Sequence, residues 1–160
     1  MPIIRLKLNR RIQWTTATAS NKKLALIASL IICGLAAVFV SILIIVGSKD
    51  PAVTVTDSQI SIKSMYGLDI PLSDITGAEL YEQSMNELDP GMRRTNGYGG
   101  FGDTLKGHFR SGKLEGFMLF VRAKSAPTIL LERDGEDVYI SFRDGEKTRA
   151  LYDEILSTWS

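Results

Sequence analysis

Residues 24–46 read LALIASLIICGLAAVFVSILIIV, 23 consecutive positions without a charge, Pro, Asn or Gln. At 1.5 Å per residue a helix of this length reaches about 34 Å, enough for a hydrocarbon core of about 30 Å, and it satisfies its own backbone polar groups there. A buried helix of a soluble core would show a polar face, whereas only Ser29 and Ser41 interrupt this surface. A cleaved signal peptide fits poorly: the run exceeds the usual 7–15 residues, it ends Ile-Leu-Ile-Ile-Val, and no small-residue cleavage site precedes Ser48. The expectation is an uncleaved single span. Cys33 lies inside it and is read as a small inert residue.

Charge on either side of the span sets the expected orientation. Residues 1–23 carry Arg5, Lys7, Arg10, Arg11, Lys22 and Lys23 with no acid, while only Lys49 and Lys63 fall within about 20 residues after the span. The expected location is therefore the cell membrane, with a cytoplasmic N-terminus and an extracytoplasmic C-terminal domain. The basic leader alternates apolar and polar residues from Ile4 to Trp14, but Ile4, Leu8 and Ile12 also share a helical face, so strand and helix both stand. It either rests on an anionic inner surface or is a disordered tail.

The whole chain has 160 residues, 19 Lys+Arg against 18 Asp+Glu, one His and one Cys. That is room for one ordinary domain, and it excludes an internal disulfide and a Cys/His zinc cage. Residues 47–160 hold 13 basic and 18 acidic residues, a local net of −5, which argues against nucleic acid as a partner. The expected division is a leader at 1–23, the span at 24–46, a linker at 47–52 and a folded domain at 53–160.

Beyond the linker the apolar pattern has period two. Val53 and Val55, Ile60 and Ile62, Leu68, Ile70 and Leu72, then Ile75, Ala78 and Leu80 predict a meander of four short strands. From Gln83 to about Lys106 the rhythm stops, and the reading is a long loop. Strands are predicted again around 105–109, 116–122, 128–132 and 138–142. Asp144 then caps a helix with Leu151, Ile155 and Trp159 along one face. The expected fold is all-β, seven or eight antiparallel strands closed into a small barrel and capped by the C-terminal helix.

The order of strands, the segment RRTNGYGGFG at 93–102 followed by GHF at 107–109, and the ending VYISF at 138–142 with Asp144 resemble the bacterial PH-domain families, over about 53–156. Arg94, Asn96, Gly97, Gly99, Gly102, Gly107 and Phe109 carry the glycine-rich part of the match, and Tyr139, Ser141 and Asp144 the last strand and the start of the helix. The resemblance implies a pleckstrin-homology-like barrel associated with a membrane. It implies no particular activity, because these families have none in common.

The string at 97–102 satisfies G-x-G-x-x-G, but no apolar helix follows it, so a nucleotide site is not expected. Arg93, Arg94, Lys106, His108, Arg110 and Lys113 lie within 21 residues, interleaved with Tyr98, Phe101 and Phe109. Together with Asn96 they give a candidate binding set of Arg93, Arg94, Asn96, Tyr98, Phe101, Lys106, His108 and Arg110. Beyond the bilayer itself, its partners would be anionic lipid headgroups or a neighbouring membrane protein. The competing reading is a solvated loop whose arginines pair with the domain's own carboxylates. The acids of 131–138, LERDGEDV, flank an Asp-Gly hairpin and are expected in water.

No catalytic pair, metal set or cofactor motif emerges. The expected function is a non-enzymatic, membrane-anchored binding or scaffolding module. Two alternatives stand beside it: a membrane-anchored hydrolase using His108 with a nearby hydroxyl, and a membrane-complex subunit assembling through its span, where Gly34, Ala36 and Ala37 permit close helix approach.

Overall fold

The computed structural model describes residues 4–99, 102–112 and 116–159, with side chains from Asn21 onward. The chain divides into two units, Met1–Leu43 and Ile44–Ser160.

Helix α1 is continuous over Ile4–Gly47, 44 residues. Its Asn21–Gly47 part is long and apolar enough to cross a membrane. The large apolar side chains between Leu24 and Val46, Ile44 apart, are exposed around the helix. The leader, ambiguous by periodicity, is helical from Ile4 onward.

Among the described residues, the second unit holds nine strands, a short helix and a C-terminal helix. The strands are β1 (Ala52–Val55), β2 (Gln59–Lys63), β3 (Leu68–Pro71), β4 (Ile75–Tyr81), β5 (Arg93–Gly99), β6 (Thr104–Arg110), β7 (Phe117–Arg122), β8 (Thr128–Arg133) and β9 (Asp137–Ile140). Helix α2 is Met85–Leu88 and α3 is Gly145–Trp159. Strands β1-β2-β3 form one antiparallel sheet, and the other six are ordered β4-β8-β9-β7-β6-β5.

Three expectations are corrected here. The predicted meander breaks after its third strand: a 3-10 turn at Leu72–Asp74 turns the chain, and β4 joins β8 in the larger sheet. The count is nine strands, and they are not all antiparallel, because β9 inserts between β8 and β7 and runs parallel to β7. The two sheets stay separate and open. The reason lies in FMLFVR and DVYI, which are apolar on both parities. A strand buried on both faces belongs at the centre of a sheet, and all six residues of β7 are buried. The third correction concerns the long loop at 83–106. It contains α2, whose Ser84 and Glu87 form a reciprocal capping box, and all of β5. Strand β5 lies at the sheet's end with most residues exposed, so it had no apolar face to give it a rhythm.

Two apolar clusters hold the domain. One face of the large sheet, through Met118, Phe120, Ile129, Leu131, Val138 and Ile140, packs with Ile60, Ile62 and Ile70 of the small sheet. Leu151 and Ile155 of α3 close the same cluster, with Tyr152 and Trp159 at its margin. The opposite face, through Phe117, Leu119, Val121, Leu130 and Tyr139, is covered by Met85, Leu88 and Met92. Asp144 caps α3 as expected, accepting from the Glu146 N–H at 3.1 Å.

Candidate binding face on the β5–β6 hairpin

Strands β5 and β6 pair as Arg93 opposite Arg110, Asn96 opposite His108, and Tyr98 opposite Lys106. A bulge between Arg94 and Asn96 absorbs one extra residue and brings Arg93 and Asn96 to the same side of the sheet. Six of the eight candidate residues therefore share one face: Arg93, Asn96, Tyr98, Lys106, His108 and Arg110. Arg94 falls on the other face, opposite Phe109. Phe101, and Lys113 of the wider cluster, lie outside the described residues.

The hairpin is pinched at its middle. Gly107 has φ +107°, and a Cβ there would stand 2.6 Å from the Asn96 carbonyl oxygen and 2.7 Å from the Gly97 Cα. Gly97 and Gly107 thus serve a close crossing of two backbones.

At one end of this face the cations are committed within the chain. Lys106 is 2% exposed, and its Nζ donates to the Lys49 carbonyl at 2.5 Å. Burial, and then the neighbouring Arg122 charge, push the Lys106 ammonium below the usual lysine range against an opposing pull from Asp50. Tyr98 lies beside Gly47, where a Cβ would come within 2.5 Å of its ring, and the buried Tyr98 hydroxyl has no hydrogen-bond partner among the described residues.

Arg122, across from Thr104, grips the same stretch. Its Nε donates to Asp50 Oδ1 at 2.7 Å, its Nη1 to Asp103 Oδ1 at 3.1 Å and to Thr104 Oγ1 at 2.7 Å, and its Nη2 to the Ser48 carbonyl. Burial disfavours the Arg122 charge, but the hydrogen bonds and charges of Asp50 and Asp103 outweigh it and raise its pKa. Asp50 Oδ2 also accepts from the Arg143 N–H at 3.3 Å. Residues 48–50, read from the sequence as a plain linker, are bonded to the domain at each position.

The two cations differ in worth. Arg122 satisfies two carboxylates, whereas Lys106 pairs with one carbonyl while desolvated. Lys106→Met is therefore expected to move the unfolding free energy by no more than about 1 kcal/mol. Because the folded-state pKa of Lys106 is lowered, the unfolded chain binds more protons just below the ordinary lysine value, and wild-type stability rises with pH through that window. The Met variant should lose this rise, as read by urea unfolding of the micelle-bound chain at increasing alkaline pH.

At the other end the cations are unsatisfied. Arg93 and Arg110 face one another, both exposed, and neither has a carboxylate partner among the described residues. Like charges directly across a sheet destabilise by up to about 1 kcal/mol. Between the two ends, His108 Nδ1 donates to Glu136 Oε2 at 2.7 Å, both side chains half-exposed. Glu136 was expected in water; the return of β9 beside β7 carries it to β6 instead. No group of three or more metal-ligating side chains gathers among the described residues.

Arg122, Asp50, Asp103 and Glu136 escaped the sequence reading. For Arg122 a signal existed, since a charge closing the otherwise apolar FMLFV needs a buried partner. No family model, curated protein or solved structure matches the chain.

Proposed function

We propose that the chain is a membrane-anchored, non-enzymatic binding or scaffolding module, with its N-terminus cytoplasmic and its β-rich domain extracytoplasmic. The observation that carries the reading is the facing pair Arg93 and Arg110, exposed and without carboxylate partners among the described residues. A domain of local net −5 that keeps such a pair has a use for it outside its own fold. The apolar Asn21–Gly47 segment supports the membrane assignment, and the basic leader supports the orientation. The strand-rich domain closing with a C-terminal helix is compatible with a PH-like relationship, although the parallel β7–β9 pair departs from the all-antiparallel expectation.

Of the two partner classes considered, an acidic protein is favoured over lipid headgroups. Arg110 is four residues along β6 from Lys106, about 13 Å by strand rise, and Lys106 holds the Lys49 carbonyl next to the end of α1. The exposed guanidinium groups thus stand at the end of the hairpin remote from Lys49.

Proximity labelling from the domain in living cells tests the module. Arg93→Glu with Arg110→Glu should lose specific neighbours while remaining membrane-bound and folded; an unchanged neighbour profile would remove the basis of the reading. Protease added to spheroplasts should digest the domain, and inside-out vesicles should protect it.

One observation favours a hydrolase as second reading. The Glu136 carboxylate fixes the His108 tautomer and leaves Nε2 as the nitrogen that can take a proton. His108→Ala separates the two: a module keeps its neighbours, whereas a hydrolase loses turnover of ester and amide substrates.

A further inference from the structure

The six-stranded sheet ends in β4 on one side and β5 on the other, and the two ends are treated differently. Helix α3 touches β4 as well as β1 and β8, and its Tyr152 hydroxyl donates to the Ala78 carbonyl of β4 at 3.4 Å. Strand β5 is hydrogen-bonded to β6 alone among the described residues, and Arg93 to Asn96 are exposed. Its one guarded main-chain group in the described set is the Gly99 carbonyl, met at 3.4 Å by Nη1 of Arg94, an exposed side chain that can swing aside. A terminal strand with open main-chain groups is a template for another strand.

Charge decides which strand it accepts. Arg93 and Arg110 face one another at the start of this edge, Arg94 stands beside them on the opposite face, and none has a carboxylate partner among the described residues. A cationic segment is repelled, and a second copy pairing through β5 brings its own Arg93 and Arg94. Gly97 and Gly99 add no side chain of their own to the far half of the strand, where the Arg94 guanidinium over the Gly99 carbonyl would have to move aside. We infer that β5 takes an extended acidic segment of a partner protein by strand addition, its main chain pairing along Arg93–Gly99 and its carboxylates on one face meeting Arg93 and Arg110. The inference deepens the binding-module reading and rests on it.

The test uses the full chain in phosphatidylcholine nanodiscs and a fluorescein-labelled (Val-Glu)4 peptide, followed by anisotropy. A second peptide of the same sequence, N-methylated at two adjacent central residues, has both strand edges blocked with its charge intact. The expected result is saturable binding of the first peptide and at least tenfold weaker binding of the second. Arg93→Glu with Arg110→Glu should weaken the first at least tenfold and gain binding of (Val-Lys)4. These positions are exposed and exchange one like-charge pair for another, so folding should be retained; Arg93→Gln with Arg110→Gln gives the same comparison without added charge.

Equal affinity for the two acidic peptides would overturn strand addition in favour of charge alone, and absence of peptide binding would overturn it outright. So would a mutation-sensitive binding of phosphatidylglycerol vesicles with no peptide binding, or a dimer lost in the same variant. If the variant loses its neighbours in cells while no peptide binds, strand addition fails and the module stands. If the neighbours are unchanged as well, both fail.

Discussion

Arg122→Ala is expected to lower the unfolding free energy by about 3–5 kcal/mol, because it leaves Asp50 and Asp103 without their shared cation and the Ser48 carbonyl without its donor. The guanidinium side chain is 6% exposed against 26% and 28% for the two carboxylates, so the acids keep only partial access to water when their cation is removed. The change should appear as a large fall in the urea midpoint of the micelle-bound chain, followed through Trp159, which packs at the margin of the main core. Arg122→Lys should recover only part of the loss, since an ammonium cannot reach both acids and the carbonyl as a planar fork does. A shift below 1 kcal/mol for the Ala variant would mean that this network is solvated and structurally idle.

Gly107→Ala should be comparably severe. The residue sits at φ +107° and its new Cβ would meet main-chain atoms of Asn96 and Gly97 at 2.6 and 2.7 Å, with no flexible side chain to yield. Backbone strain of about 1–3 kcal/mol adds to overpacking of about 1–3 kcal/mol. Gly135→Ala separates the two contributions. Its φ of +104° is similar, but nothing lies within 4 Å of the added methyl, so only the conformational part, about 1–3 kcal/mol, is expected. Urea midpoints read the difference. Faster amide exchange confined to β5 and β6 in the Gly107 variant would locate the damage; equal midpoints for the two variants would contradict a steric role for the crossing.

The legible parts of the sequence were those in which one physical demand dominates. A long helix with no polar face is set apart by composition alone, so residues 24–46 declared themselves as long and apolar enough to cross a membrane. The α3 stripe of Leu151, Ile155 and Trp159 was equally plain, because its Asp144 cap and its spacing agree. Strand positions with a single buried face, such as Ile60 and Ile62, were found by alternation. Strand β5 was missed because an exposed terminal strand has no buried parity, and its glycines, which suggest a loop, answer instead to the approach of Gly107. The neighbours of β9 were missed for the opposite reason. Val138, Tyr139 and Ile140 say that both faces are buried, but not which strands flank them. The candidate site was half legible: residue types located the cationic cluster, while only the register separated Lys106 and Tyr98, held near residues 47–49, from Arg93 and Arg110. Hydrogen-bonded pairs such as His108 with Glu136, 28 positions apart, depend on strand order and leave no local mark.

The placement of β9 beside β7 has a consequence for biosynthesis. One flank of β7 pairs with β6, made earlier, but the other waits for a strand that follows 14 intervening residues. At about 5–20 residues per second, the nascent chain carries FMLFV with an open hydrogen-bonding flank for on the order of one to a few seconds before Ile140 emerges. Through that interval the most apolar strand of the domain has no native neighbour on that side, and a holdase or a slow translation start would gain most by acting there.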